Sequence, residues 1–137
     1  KAKIPVLRNG WKEVKPGLIL AGVDPQESMG MPGNSSNTIA AMFADRPKGA
    51  TILLSHIPAN TEEAAKAGVD LMLCAHTHGG QIWPFSYIVR AVYHMISGEY
   101  TVDGMQVIVT RGAGSWGPRM RLWERGEIMM ITLHVKD

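Results

Sequence analysis

Cysteine is nearly missing from this chain. Its 137 residues carry one, Cys74, so no intrachain disulfide framework can form, and the usage fits a reducing compartment. Long apolar runs are missing too: no stretch approaches the roughly 20 residues that a membrane-crossing helix needs, and nothing at the start resembles a leader. Charge is sparse, at 19% of residues with a formal balance of +2 and no dense Lys/Arg run. That removes the electrostatic footprint of a nucleic-acid binder. What remains, 45% apolar, is the balance of a globular chain long enough to bury a core, and residues 1–137 read as a single domain. The opening Lys1-Ala2-Lys3-Ile4 has no methionine, so the chain reads as a piece of a longer protein, cytoplasmic or membrane-associated.

The turn-forming clusters Asn9-Gly10 and Lys15-Pro16-Gly17 separate two expected strands, Ile4 to Leu7 and Leu18 to Val23. Gln26 to Ser36 is rich in Gly, Ser, Asn and Pro and reads as a loop. Asn37 or Thr38 could cap a short helix through Ala44, stopped by Arg46-Pro47. Ala50 to Leu54 and Val69 to Cys74 read as strands. Between them Thr61 to Ala67 has a capping residue, acids in its first turn and Gly68 as a stop. Such a strand–helix–strand unit makes two parallel strands. A helix from Ser86 is one reading of the ambiguous stretch Pro84 to Ile96. Tyr100 to Val102 and Met105 to Thr110 flank Asp103-Gly104, a hairpin signal. A glycine-rich loop spans Gly112 to Gly117, and Glu127 to Val135 reads as a final strand.

This layout gives the histidines a meaning. His56 follows one parallel strand, and His76 and His78 follow the next. Neighbouring strands lie about 5 Å apart, so all three imidazoles emerge at the carboxyl edge, where open α/β sheets hold ligands. In an extended segment His76 and His78 would point the same way, a spacing suited to one metal ion or to two about 4 Å apart. Gly79 and Gly80 would let the backbone turn sharply and approach a ligand.

The run Ser55-His56-Ile57-Pro58, then Leu73-Cys74-Ala75-His76-Thr77-His78-Gly79-Gly80-Gln81, closely resembles the calcineurin-like metallophosphoesterases. Thr110-Arg111-Gly112-Ala113-Gly114-Ser115-Trp116-Gly117-Pro118, Val6-Leu7-Arg8-Asn9 and Ala21-Gly22-Val23-Asp24 resemble the same bacterial branch. The resemblance implies an α/β fold: half of a two-sheet sandwich with flanking helices, a mixed sheet with one βαβ unit and a β-rich carboxyl-terminal part. It implies divalent metal ions (Mn, Fe or Zn), with His56 and His76 on one ion and His78 on the other. It also implies a phosphoester substrate, met by Gly79, Gly80 and, more weakly, Arg121. Position 75, a glycine in the family, is alanine here. The family's Asp-x-His and Gly-Asp blocks occur nowhere, and Gly33-Asn34 is followed by Ser35 rather than histidine. The chain thus looks like the carboxyl-terminal half of such an enzyme and, alone, a poor catalyst. Hard-ion and two-metal sites need carboxylate oxygen that this half does not supply.

Other residues carry less. Arg111, Arg119, Arg121 and Arg125 bracket the late loop and could meet a phosphate, although solvated surface positions explain arginines more simply. Trp83, Phe85 and Trp116 could wall an ester group or pack at a rim. His94 and His134 read as structural or exposed, Cys74 as a buried strand residue, and Asp24 and Asp70 as structural. Two functions from different classes follow. One is the histidine-bearing half of a metal-dependent phosphoesterase; the other is a non-catalytic metal-binding or interaction domain of the same descent. A half-domain also leaves a strand edge and an apolar face uncovered, so self-association, or pairing with the missing amino-terminal half, is expected.

Overall fold

The computed structural model describes residues 4–24, 38–123 and 125–134. Its frame is one six-stranded sheet. Strands β1 (Gly10–Lys15) and β2 (Leu18–Gly22) form an antiparallel hairpin. The turn between them is Pro16-Gly17, with Gly17 at φ 76°. A two-residue turn folds back the residues immediately before it. The ladder partner of β2 is therefore Gly10–Lys15, and the strand expected at Ile4 to Leu7 is absent. Next come β3 (Ala50–Leu54), β4 (Leu71–Cys74), β5 (Gly98–Val102) and β6 (Met105–Val109), giving the spatial order β1-β2-β3-β4-β6-β5. The four central strands β2, β3, β4 and β6 are parallel, and both edge strands are antiparallel to their neighbours. The α/β class and the mixed sheet are as expected. The parallel part is larger than one strand–helix–strand unit, because β2 joins it through α1 (Thr38–Met42).

Helix α2 (Thr61–Lys66) connects β3 to β4. Its cap is not Thr61 but Asn60, in the left-handed region at φ 56° and with no side-chain capping bond. Asparagine tolerates that conformation better than most residues. The Asp103-Gly104 turn joins β5 to β6 with positive φ at both residues, the geometry favoured in tight hairpins. Gln26 to Ser36 lies outside the described residues.

Strand alternation sorts the sheet into two unlike faces. On one, register aligns Ala21, Leu53, Met72 and Val107 in a row, all fully buried. Ile39, Met42 and Phe43 and, from α2, Ala64 complete this core. The other face aligns Leu20 with Ile52 and Leu71, and Leu54 with Leu73 and Ile108. It is as apolar as the first but only partly covered, and Leu54 is exposed. Parallel strands are normally covered on both faces.

The strand expected at Glu127 to Val135 is not formed by the described residues of that segment, and Val135 lies outside them. Period-two alternation is present: Ile128 and Met130 are 90% and 94% exposed, Met129 and Ile131 37% and 39%. A strand also needs a ladder, and the backbone bond from Glu127 N–H to Gly112 O (3.0 Å) does not extend into one among the described residues.

Met72 on β4 is fully buried at the centre of the packed face. Met72→Ala should cost about 2–4 kcal/mol, from lost transfer energy plus a residual cavity, read as a lower urea midpoint at unchanged slope.

Candidate functional site

The site grows out of the β3–β4 pairing. Beyond the last paired residues the parallel ladder continues into the loops, with Ser55 N–H donating to Leu73 O (3.0 Å) and Ala75 N–H to His56 O (3.2 Å). This fixes His56 beside His76, and their rings meet edge to face with centroids 4.9 Å apart. His56 Nε2 and His76 Nδ1 are 3.1 Å apart. Ala75, despite its methyl group, keeps an ordinary negative φ and accommodates the turn.

The segment after Ala75 is not extended. His76, His78, Gly79, Gly80 and Gln81 all have positive φ, and His78–Gly80 is a 3-10 turn. The two histidines therefore diverge, contrary to the expectation for an extended His-x-His. His76 turns to His56, with Nε2 3.1 Å from the Tyr93 hydroxyl. His78 turns to Arg121, whose guanidinium lies 3.2 Å from Nδ1. A guanidinium only donates, so His78 Nδ1 is the acceptor. Burial, then the charges of His56 and His78, holds His76 below the usual imidazole range. Burial and Arg121 lower His78, partly offset by a backbone hydrogen bond at Arg111. Both rings thus favour the neutral form, which has a lone pair to offer.

Several residues hold this turn. The buried Thr77 hydroxyl donates to Ile96 O. A Cβ on Gly80 would meet Ser86 Cα at 2.3 Å, so glycine there lets helix α3 (Phe85–Val92) dock on the turn. Gln81, also buried, accepts from Trp116 N–H (2.6 Å) and donates to Trp116 O (2.7 Å) and Pro118 O (3.2 Å). Its amide thereby pins the glycine-rich loop. Arg121 is half-buried and donates to Arg111 O (2.9 Å), Gly112 O (3.2 Å) and Gly114 O (3.1 Å). It is a loop clamp beside His78.

Around these groups lies a cavity of about 500 Å³, lined by His56, His76, His78, Tyr93 and an apolar wall that includes Phe85, Val89 and Trp116. Of the aromatics weighed from the sequence, Phe85 and Trp116 line it and Trp83 does not. Gly80 lines it; Gly79 is buried and does not. Arg119 and Arg125 are exposed, as are His94 and His134. Burial pushes the Cys74 thiol up to about 12, so it stays protonated. Asp70 accepts from Thr51 N–H at 2.7 Å, a structural role. Tyr93 and the clamps made by Gln81 and Arg121 are not signalled by spacing, since each depends on a contact at least 17 residues away in sequence.

Among the described residues no three of His, Cys, Asp or Glu converge on one point. Two nitrogens do. Their 3.1 Å separation is that of a ring-to-ring hydrogen bond, and a small opening, to about 3.4 Å, would suit two ligands on one tetrahedral ion. A ligating His76 would donate its remaining N–H to the Tyr93 oxygen, the outer partner such ligands normally have. The donor set fits part of a nitrogen-rich divalent site.

The protein is an α/β domain with a mainly parallel sheet and imidazoles gathered at its carboxyl edge, the edge where open α/β sheets hold ligands. The chain belongs to the calcineurin-like metallophosphoesterase family. It is 32% identical over 139 residues to an uncharacterized metallophosphoesterase of Aquifex aeolicus, covering 99% of this chain and 53% of that protein. It is 32% identical over 121 residues to a transmembrane protein with metallophosphoesterase domain of Danio rerio, covering 85% and 28%. It is 34% identical over 89 residues to the phosphodiesterase YaeI of Escherichia coli, covering 60% and 32%. The chain thus spans about half, or less, of the length of these relatives. No family model matches it, and no solved structure does.

Glu127 secures the loop from the other side. Its carboxylate takes Arg111 Nε (3.0 Å), Arg111 Nη2 (2.7 Å) and Arg111 N–H (2.7 Å), with the Thr110 hydroxyl at 3.2 Å. The Arg111 side chain, then its backbone N–H, holds this carboxyl below the usual glutamate range. A depressed carboxyl pKa means stability present above the unfolded-state pKa and lost as pH falls through the folded one. Glu127→Gln should therefore cost about 1–2 kcal/mol near pH 7, with partial exposure screening the pair. The difference from the unsubstituted protein should begin to shrink as pH falls below the ordinary glutamate range and vanish once pH lies below the lowered folded-state value, as read by thermal unfolding across pH.

Proposed function

We propose that this chain supplies the histidine side of a metal-dependent phosphoester-hydrolysing site. The observation that carries the reading is the convergence of His56 and His76 on one point, backed by Tyr93 and open to the cavity. In this reading His56 and His76 hold one divalent ion (Mn, Fe or Zn), and His78 serves a second after its ring leaves Arg121. Bound ions polarise phosphoryl oxygens and supply a hydroxide nucleophile at neutral pH. The chain's own part is to present neutral imidazoles and to orient His76 through Tyr93. Gly79 and Gly80 keep the floor of the site free of side chains, and the loop held by Arg121 stays beside the phosphate. Carboxylate ligands come from outside the described residues. The reading of a metal-binding domain without turnover draws on the nitrogen-only donor set.

The test uses the full-length protein, stripped by chelation and reloaded with Mn, Fe or Zn, with an aryl phosphodiester as substrate. His56→Ala and His76→Ala should each lower turnover about 100-fold or more and reduce bound metal. Tyr93→Phe should weaken metal binding about tenfold. Hydrolysis unchanged in both histidine variants would sink the assignment. Metal bound through these histidines without turnover would leave the non-catalytic reading.

The open sheet face of Leu20, Ile52, Leu54 and Leu73 supports a further part of this proposal: it takes either the rest of the protein or a second copy. The 137-residue chain alone should sediment as a dimer or larger at about 10–50 μM, because an uncovered apolar face of this kind drives association. Leu54→Asp should shift it to monomer.

A further inference from the structure

One side chain grips His78 twice. Arg121 Nη2 lies 3.2 Å from its Nδ1, and Arg121 Nη1 donates to its backbone oxygen at 3.4 Å. The His56–His76 pair is built differently. There the two facing nitrogens belong to neutral rings, and both become ligands once a slight opening admits an ion. At His78 the facing group is a cation.

A neutral imidazole has one N–H and one lone pair, and a guanidinium has no lone pair to give. With Nδ1 accepting from Arg121, the His78 proton sits on Nε2. Neither nitrogen is then free to take an ion. Ligation through Nδ1 would claim the lone pair that Arg121 uses. Ligation through Nε2 would move the proton to Nδ1, where it would face another donor. Whichever nitrogen is chosen, an ion on His78 and the Arg121 bond exclude each other.

The count of donors decides which contact gives way. Arg121 Nη2 has two N–H groups, yet it is within reach of His78 Nδ1, Arg111 O (2.9 Å), Gly112 O (3.2 Å) and Gly114 O. Arg121 Nε also donates to Gly114 O, at 3.1 Å. If the imidazole leaves, carbonyl oxygens still satisfy both N–H groups, and Arg121 keeps its place. The ring has clearance on the loop side: Gly112 has no Cβ, and one built there would stand 4.0 Å from His78 Cε1. The bond to His78 is therefore the least costly one that Arg121 makes. Once it breaks, the guanidinium stays behind as a fixed positive charge beside the vacated nitrogen.

We infer that Arg121, on the reading of His78 as the ligand of a second ion, is a positioning residue that holds this histidine closed to metal and weakens the second ion position. Filling that position costs the Arg121 bond and sets an ion beside a retained cation. The loop clamp and the gate are one side chain, so the glycine-rich loop stays in place whether the gate is open or closed.

The test uses the full-length protein, stripped by chelation and titrated with Mn in equilibrium dialysis. His78→Ala should lose the second ion and keep the first. Arg121→Met should bind the second ion about tenfold more tightly, since the charge-assisted bond is no longer there to break, with the first ion unchanged. Arg121→Lys, which keeps a donor and the charge, should stay close to the unsubstituted protein. Gln81→Ala loosens the same loop while leaving Arg121, and it should not tighten the second ion. In the metal-free unsubstituted protein, imidazole nitrogen NMR should find His78 with its proton on Nε2. A proton on Nδ1 there would overturn the inference, as would second-ion binding unchanged or weakened in Arg121→Met, or tightened equally by Gln81→Ala. First-ion binding unchanged by both His56→Ala and His76→Ala would instead sink the metal assignment on which the gate rests.

Discussion

The parallel register of β3 and β4 is the constraint on which the rest of the molecule depends. Antiparallel strands would send their following loops to opposite edges of the sheet. Parallel strands send both to the same edge, and pairing Leu54 with Leu73 sets the two loops level. Two further backbone bonds, Ser55 to Leu73 and Ala75 to His56, carry that order past the strands. The closeness of His56 and His76 is thus a backbone property. The α2 crossover and its packing of Ala64 into the core hold the register, so core residues far from the cavity also serve it.

The turn that presents the histidines is conformationally expensive. His76, His78 and Gln81 each occupy positive φ without being glycine, at a cost on the order of 1 kcal/mol apiece. A net 0.5–1.5 kcal/mol per hydrogen bond means that a few well-made bonds suffice to hold them. Thr77 to Ile96, the three bonds of Gln81 and the Arg121 clamp are of that number and strength. The strained turn and the glycine-rich loop therefore stabilise each other, and loosening either would release both.

Local signals recovered the sheet well where they acted alone. Ala50 to Leu54, the helix before Gly68 and the Asp103-Gly104 hairpin all fall close to where composition and turn chemistry place them. The histidine cluster was legible because strand ends are legible, and the family resemblance lay in the same residues. What failed depended on partners. Residues 4–7 look like a strand, but the Pro16-Gly17 turn hands their place to Gly10–Lys15. Residues 127–134 alternate correctly, but no ladder runs beside them. The expectation that His76 and His78 share a direction assumed an extended backbone. Nothing in the local pattern announces a left-handed, right-handed, left-handed succession at residues 76–78. Tyr93 was hidden for a similar reason: only the docking of α3 on Gly80 returns the chain to His76.

That docking also links the imidazole pair to the apolar wall of its cavity. Because Gly80 has no side chain, the backbone at Ser86 can close on the turn, and the start of α3 is seated there. Phe85 and Val89 then wall the cavity, while the chain after the helix delivers Tyr93 to the imidazole pair. A side chain at position 80 would push the helix away, separating Tyr93 from His76 and drawing Phe85 and Val89 from the cavity wall in one step. The imidazole pair's outer partner and part of the cavity's apolar wall thus share a single steric origin in the second glycine of the His-Thr-His-Gly-Gly-Gln block.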